Sequence, residues 1–300
     1  MLAMTHADHR QMVTTTAPRL DRVLGLSQNG FHRVAYADWG DPGCREACVC
    51  VHGLTRSGRD FDALAAALTP HRRVLCPDVA GRGRSDWLAS AEAYSYQQHL
   101  ADLTAVIART GTSAVDWVGT SMGGILGMLM AAQPNTPIRR LVINDVGPFI
   151  PRDALLRIRE HVGVDPRFPD FEAAEAYMRR VSAPFGDLPD HHWRHLTRHC
   201  VRRDGSGGYR LHYDPRIGEA FRDPDEITDV DLWHVWDAIA CPVLVVRGAE
   251  SDLLTAETVT EMTRRGPSAE VVTVPETGHA PPLLSAEQIR PVVDWLTARG

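Results

Sequence analysis

A chain of 300 residues with 44% apolar side chains and a formal net charge of -6 can bury a sizeable core, which excludes a disordered polymer, and it lacks the basic surplus of a nucleic-acid binder. The first ten residues contain no apolar signal run, and the most apolar internal stretch, Ile125 to Ala132, is far shorter than the ~20 residues that span a bilayer, so neither membrane nor nucleic acid is an expected partner and a cytoplasmic location is the default. Six cysteines occur without a C-x-x-C pair and are expected as reduced, largely buried thiols rather than disulfides or a metal site.

In chain order, residues 1–18 lack periodicity and read as a flexible arm. Two alternating runs, Val23 to Leu26 and Phe31 to Tyr36, flank the turn signal Ser27-Gln28-Asn29-Gly30 and predict an antiparallel hairpin. Ala47 to Val51 is a continuous apolar strand ending in His52-Gly53-Leu54-Thr55-Arg56, and Ser57 is placed to cap the helix that follows. Arg73 to Pro77 is the next strand. The glycine-rich run behind it, Asp78 to Asp86, has no Gly-Lys-Ser/Thr ending and is not a phosphate loop. Ser95 caps a helix carrying Leu100, Leu103, Val106 and Ile107 at helical spacing.

The strand Val115 to Val118 then turns into an apolar helix through Gly119-Thr120-Ser121-Met122-Gly123. In this G-x-S-x-G frame the glycines supply hydrogen where strand and helix backbones nearly touch, and the serine is pushed outward at the apex beside the helix N-terminus. Arg140 to Val146 is a further buried strand, broken by Gly147-Pro148. From there to Trp233 the alternation of strand and helix stops: helices are predicted over 152–161, 171–181 and 190–201, and Arg202 to Gly208 reads as a hinge or turn. His191, His192, His195 and His199 recur at helical spacing but lack an acidic partner in an H-E-x-x-H pattern, so a solvated or cap-packing face is expected and no metal. The core resumes at Cys241 to Gly248, with Asp252 in the loop behind it. A last strand, Val271 to Val274, leads to Gly278-His279 on a proline-stiffened loop, and a helix over 286–299 closes the chain.

The serine turn, with an acid and then a histidine downstream, resembles the α/β-hydrolase superfamily over about Phe31 to Trp295. The resemblance implies an α/β fold, a mostly parallel doubly wound sheet of the α/β-hydrolase type formed by 19–147 and 234–300, with 148–233 as an inserted helical cap or lid. It also implies that the His-Gly turn is the oxyanion loop, with the backbone N–H groups of Leu54 and Met122 as donors, and that the D-x-x-G-x-G-x-S turn at Asp78 to Ser85 is architectural. His52 is expected to hold the oxyanion loop by hydrogen bonding.

Ser121 as nucleophile, His279 as base and Asp252 as the acid that orients it make a constellation for acyl transfer to water, with no cofactor and no metal needed. Asp145 also ends a buried strand and competes for the acid role, but the R-G-x-x-S-D-x-L context favours Asp252. The expected substrate is a small carboxylic ester or lactone. Arg56, Phe149, Trp193 and Tyr213 are the candidate substrate contacts. Two other readings stay open: carbon–carbon hydrolysis of the meta-cleavage-product type, which the pattern also resembles, and a receptor that reuses the pocket.

Overall fold

The computed structural model describes residues 17–298, so all but the last two residues of the expected arm lie outside the described residues. An eight-stranded sheet runs through the centre. Its strands are β1 (Arg19–Ser27), β2 (Gly30–Trp39), β3 (Ala47–Val51), β4 (Arg73–Pro77), β5 (Val115–Thr120), β6 (Ile138–Asn144), β7 (Val243–Gly248) and β8 (Ala269–Val274), in the spatial order β1-β2-β4-β3-β5-β6-β7-β8. β1 and β2 form the expected hairpin with Ser27 opposite Gly30, and β2 lies antiparallel to β4. All pairs from β4 onward are parallel.

The continuous apolar strands follow from helices on both faces. Val49, Val51, Trp117, Leu141, Ile143, Val243 and Val245 pack on one face beneath α2 (Tyr96–Ala108) and α3 (Met122–Ala131). Their neighbours Cys48, Cys50, Val118, Val142, Leu244 and Val246 pack on the other, beneath α1 (Asp62–Leu68) and α9 (Ala286–Thr297). Ser95 caps α2 by accepting from Gln98 N–H. Ser57 makes no such bond, because a 3-10 turn at Gly58–Phe61 intervenes before α1.

Between β6 and β7 no strand joins the main sheet. This insertion begins and ends on a two-stranded ribbon, Phe149–Ile150 against Val230–Asp231. It carries α4 (Arg152–Arg159), α5 (Phe171–Val181) and α6 (Asp190–Cys200). It is not helical throughout. Arg167–Phe168, Tyr209–Leu211 and Val201–Arg203 form a three-stranded antiparallel sheet, and the glycines at 205–208, expected as a hinge or turn, are the turn joining its last two strands. Short strands of two or three residues carry too little periodicity to be seen in sequence. Two short helices, α7 (Trp233–Asp237) and α8 (Ala256–Met262), and the longer closing α9 complete the helices. No helix among the described residues is long and apolar enough to cross a membrane.

Candidate active site

Ser121 stands between β5 and α3 with φ 52° and ψ -117°, a strained backbone for a side-chain-bearing residue. The steric demand on its flanking glycines is explicit: a Cβ on Gly119 would lie 2.1 Å from Gly123 O, and one on Gly123 would lie 2.0 Å from Val51 O. Strand, turn and helix can approach this closely only with hydrogen at both positions. The turn is pinned by Ser121 N–H donating to Asn144 O at 2.9 Å and by the Trp117 indole N–H donating to Gly123 O at 3.0 Å.

Ser121 Oγ lies 2.9 Å from His279 Nε2, and His279 Nδ1 lies 2.8 Å from Asp145 Oδ2. The carboxylate can only accept, so Nδ1 carries the proton and Nε2 faces the serine hydroxyl as acceptor. Asp145 is fully buried. Its Oδ1 accepts from Gly248 N–H at 2.7 Å, and its Oδ2 also accepts from Ser251 Oγ–H at 2.6 Å. Asn144 donates to Thr120 Oγ1 at 3.0 Å and to Pro281 O at 2.8 Å, tying the serine strand to the histidine loop.

The expected acid is therefore corrected. Asp252 does not reach His279; its exposed carboxylate is gripped by Arg157 of α4, through Nε at 2.5 Å and Nη2 at 2.8 Å. The physical reason lies in the loop after β7, which closes around Asp145 through Gly248 and Ser251 and leaves Asp252 on the outside. Asp145 itself takes φ 58°, a left-handed conformation that aspartate tolerates better than most residues, and this turns its side chain back across the end of the sheet.

The His52 to Arg56 loop passes over the serine. His52 Nδ1–H donates to Gly53 O at 2.7 Å while its Nε2 accepts from Val79 N–H at 2.9 Å. Burial disfavours the charged imidazole and pulls the His52 pKa down to about 4, so the ring is a neutral clamp on the peptide that bears Leu54 N–H. The next carbonyl, Leu54 O, accepts from Arg82 Nε at 2.8 Å. Arg82 is fully buried, and its side chain also makes hydrogen bonds with Ala80 O, His99 Nε2 and the Met122 sulfur. Desolvation draws its pKa down to about 10. Met122 opens α3, so its N–H has no acceptor within the helix. Leu54, the other expected donor, lines the same cavity as Ser121.

These groups open on a cavity of about 180 Å³ whose walls include Leu54, Ser121, Met178, Leu211 and His279. Of the expected substrate contacts, Arg56 and Tyr213 line it. Phe149 and Trp193 do not. Phe149 belongs to the ribbon at the base of the insertion, and Trp193 is buried against Leu188, Leu196 and Phe185, the last stacked on it at 6.4 Å between ring centres. Phe185 lines the cavity instead; its place in a short 3-10 turn, Ala183–Phe185, gives no periodic signal to find it by.

The glycine-rich turn at 78–86 also has a second role. Gly83 N–H donates to His212 O at 2.9 Å and Asp214 N–H donates to Gly81 O at 2.8 Å, so this turn docks the insertion onto the core. Among the described residues, Asp62, His195 and His199 bring three possible metal-ligand atoms within 4.8 Å of one another. The Asp62 carboxylate is gripped by Arg59 Nε at 2.7 Å, and His195 Nε2–H donates to Arg59 O at 2.9 Å, which ties α6 to the segment at the start of α1.

The fold and the serine–histidine–aspartate cluster define the α/β-hydrolase class, and the chain belongs to that family: the model for the alpha/beta hydrolase family matches residues 48–292. It is a hydrolase with esterase-type relatives. It is 47% identical over 282 residues to the 3-hydroxybutyrate-oligomer hydrolase of Cupriavidus necator, covering 92% of this chain and 96% of that protein. An esterase of Mycobacterium tuberculosis is 27% identical over 85% of this chain and 82% of its own length. A crystal structure of an α/β hydrolase from Novosphingobium aromaticivorans superposes with a TM-score of 0.82 at 36% identity, covering 92% of this chain and 98% of that one.

Proposed function

We propose that the chain is a serine hydrolase that cleaves carboxylic esters through an acyl-enzyme on Ser121, with short linear oligoesters of 3-hydroxybutyrate as substrates. The observation that carries this reading is the unbroken chain of hydrogen bonds from Asp145 through His279 to Ser121, ending at a cavity that Leu54 also lines. The 47% identity to an oligomer hydrolase over nearly the full length of both chains supports the substrate class.

In this mechanism Ser121 Oγ attacks the ester carbonyl as its proton passes to His279 Nε2, and the negative oxygen is held by Leu54 and Met122 N–H. The carbon–oxygen bond then breaks, and His279 returns the proton to the departing alkoxide. Water attacks the acyl-enzyme by the same route and releases the acid. Asp145 keeps the imidazole in the one tautomer that serves both halves. A lactone is an internal ester and would pass through the same steps.

The test is to incubate the purified protein with the linear dimer and trimer of 3-hydroxybutyrate and follow monomer release by chromatography. Release by the wild type and none by Ser121→Ala is expected. No release by the wild type, or equal release by the variant, rejects the reading.

A further inference from the structure

Arg56 leaves the backbone at the edge of the oxyanion loop, where its own N–H closes a turn onto Gly53 O at 3.2 Å. A Cβ placed on Gly53 would stand 3.7 Å from Arg56 Cγ and 3.7 Å from Ser121 Cβ, so the two side chains start within twice that distance of each other. The guanidinium is held rigidly. Nε donates to Asp60 Oδ2 at 2.7 Å and Nη2 donates to Asp60 Oδ1 at 2.8 Å, while Cζ lies 5.6 Å from the centre of the Phe185 ring. Only 12% of the side chain is exposed, and burial disfavours its charge; Asp60 outweighs this and keeps the pKa above its ordinary value.

The third nitrogen, Nη1, is buried without a hydrogen-bond partner among the described residues, in a side chain that lines the cavity. A buried donor on a fixed cation that lacks an acceptor is a site awaiting an oxygen. Arg157, the other arginine on the cavity wall, is engaged by Asp252 and 35% exposed, so water already competes for it.

We infer that Arg56 Nη1 receives a carboxyl-type oxygen located one hydroxy-acid unit from the bond being cut, so that the enzyme selects hydroxy-acid oligoesters over plain alkyl esters. This rests on the serine-hydrolase reading above. The oxygen has two possible sources, the free terminal carboxylate of a dimer or the ester carbonyl of a further unit; both offer Nη1 the same acceptor. Asp60 serves as the positioning residue that fixes the plane of the guanidinium.

The test measures kcat/KM on three esters sharing one acyl group: the 3-hydroxybutyrate dimer, its methyl ester, and sec-butyl 3-hydroxybutyrate, in which a methyl group replaces the second carboxyl. The wild type is expected to prefer the dimer or its methyl ester over the sec-butyl ester by about 10- to 100-fold; preference for the dimer alone assigns the carboxylate, and for both assigns the carbonyl. In Arg56→Met the preference should fall towards unity. The double variant Arg56→Met with Asp60→Asn removes the stranded carboxylate and gives the same comparison if the single variant does not fold. A wild type without preference, or a variant that keeps it, overturns the inference while Ser121-dependent cleavage of the sec-butyl ester leaves the hydrolase reading standing. Cleavage of none of the three esters removes both.

Discussion

Asp145 receives three hydrogen bonds, from His279, Ser251 and Gly248, and no water reaches it. A carboxylate so committed holds the imidazole in one orientation, whereas Asp252 holds only an exposed arginine. Loss of the aspartate that fixes the tautomer costs about 10⁴-fold in serine proteases. Asp145→Asn is therefore expected to lower kcat by a comparable order, and Asp252→Asn to leave kcat within about threefold, since exposed ion pairs contribute about 0–1 kcal/mol. Steady-state kinetics at equal folded fraction decides; the reverse ranking would return the acid to Asp252. Both aspartates follow apolar strands in the sequence, and nothing in either local pattern states which way the side chain turns. The left-handed backbone at Asp145 and the wrapping of the β7 loop settle it, and both are products of the folded sheet end.

The His52 to Arg56 loop, expected to carry an oxyanion donor, is held from two sides, by neutral His52 on Gly53 O and by buried Arg82 on Leu54 O. Arg82 also touches the Met122 sulfur, so one guanidinium reaches both residues that carry the expected donors. Its role is positioning, because it contacts no reacting atom. Arg82→Met should strand Leu54 O and Ala80 O without a donor and let the loop drift. Removing an oxyanion donor outright costs about 10²–10³ in kcat, and a misplaced one is expected to cost about 10²-fold, with KM changed by less than about threefold. Equal changes in KM and kcat, or a normal kcat, would show that Arg82 serves stability alone. The sequence placed Arg82 in an architectural turn; its reach across to Leu54 depends on the 78–86 turn folding under the loop.

For the molecule as a whole, burial favours the neutral form of several histidines among the described residues: it draws His52 and His212 down to about 4 and His199 to about 3, and lowers His99 and His192 as well. Unfolding restores an ordinary pKa of ~6.5, so between that value and about 4 the unfolded chain binds more protons than the native one. The stability they give is complete above pH ~6.5 and is lost as pH falls through that window. His52, with no exposure, accounts for roughly 3 kcal/mol of this change. Urea unfolding from pH 7 to pH 4.5 should show a steady fall in stability, shallower in His52→Gln. An unchanged slope in the variant would mean that His52 does not titrate on unfolding. His212 lies where the insertion docks on the 78–86 turn, so the same acidification is expected to loosen the insertion from the core.

By itself the sequence determined the strand and helix alternation, the interruption after β6, and the serine turn, because each rests on local physics: apolar strands covered on two faces, a period that changes, and two glycines where a Cβ would collide with backbone. It also placed Ser121, His279, Leu54 and Arg56 at the ends of strands that a parallel sheet gathers on one edge. Tertiary structure alone decided which aspartate meets the histidine, that Phe185 rather than Phe149 or Trp193 lines the cavity, and that Arg82 braces the His52 to Arg56 loop. Those outcomes join residues 28 to 134 positions apart, and a contact at that separation depends on how several elements stack, which no local pattern of residues encodes.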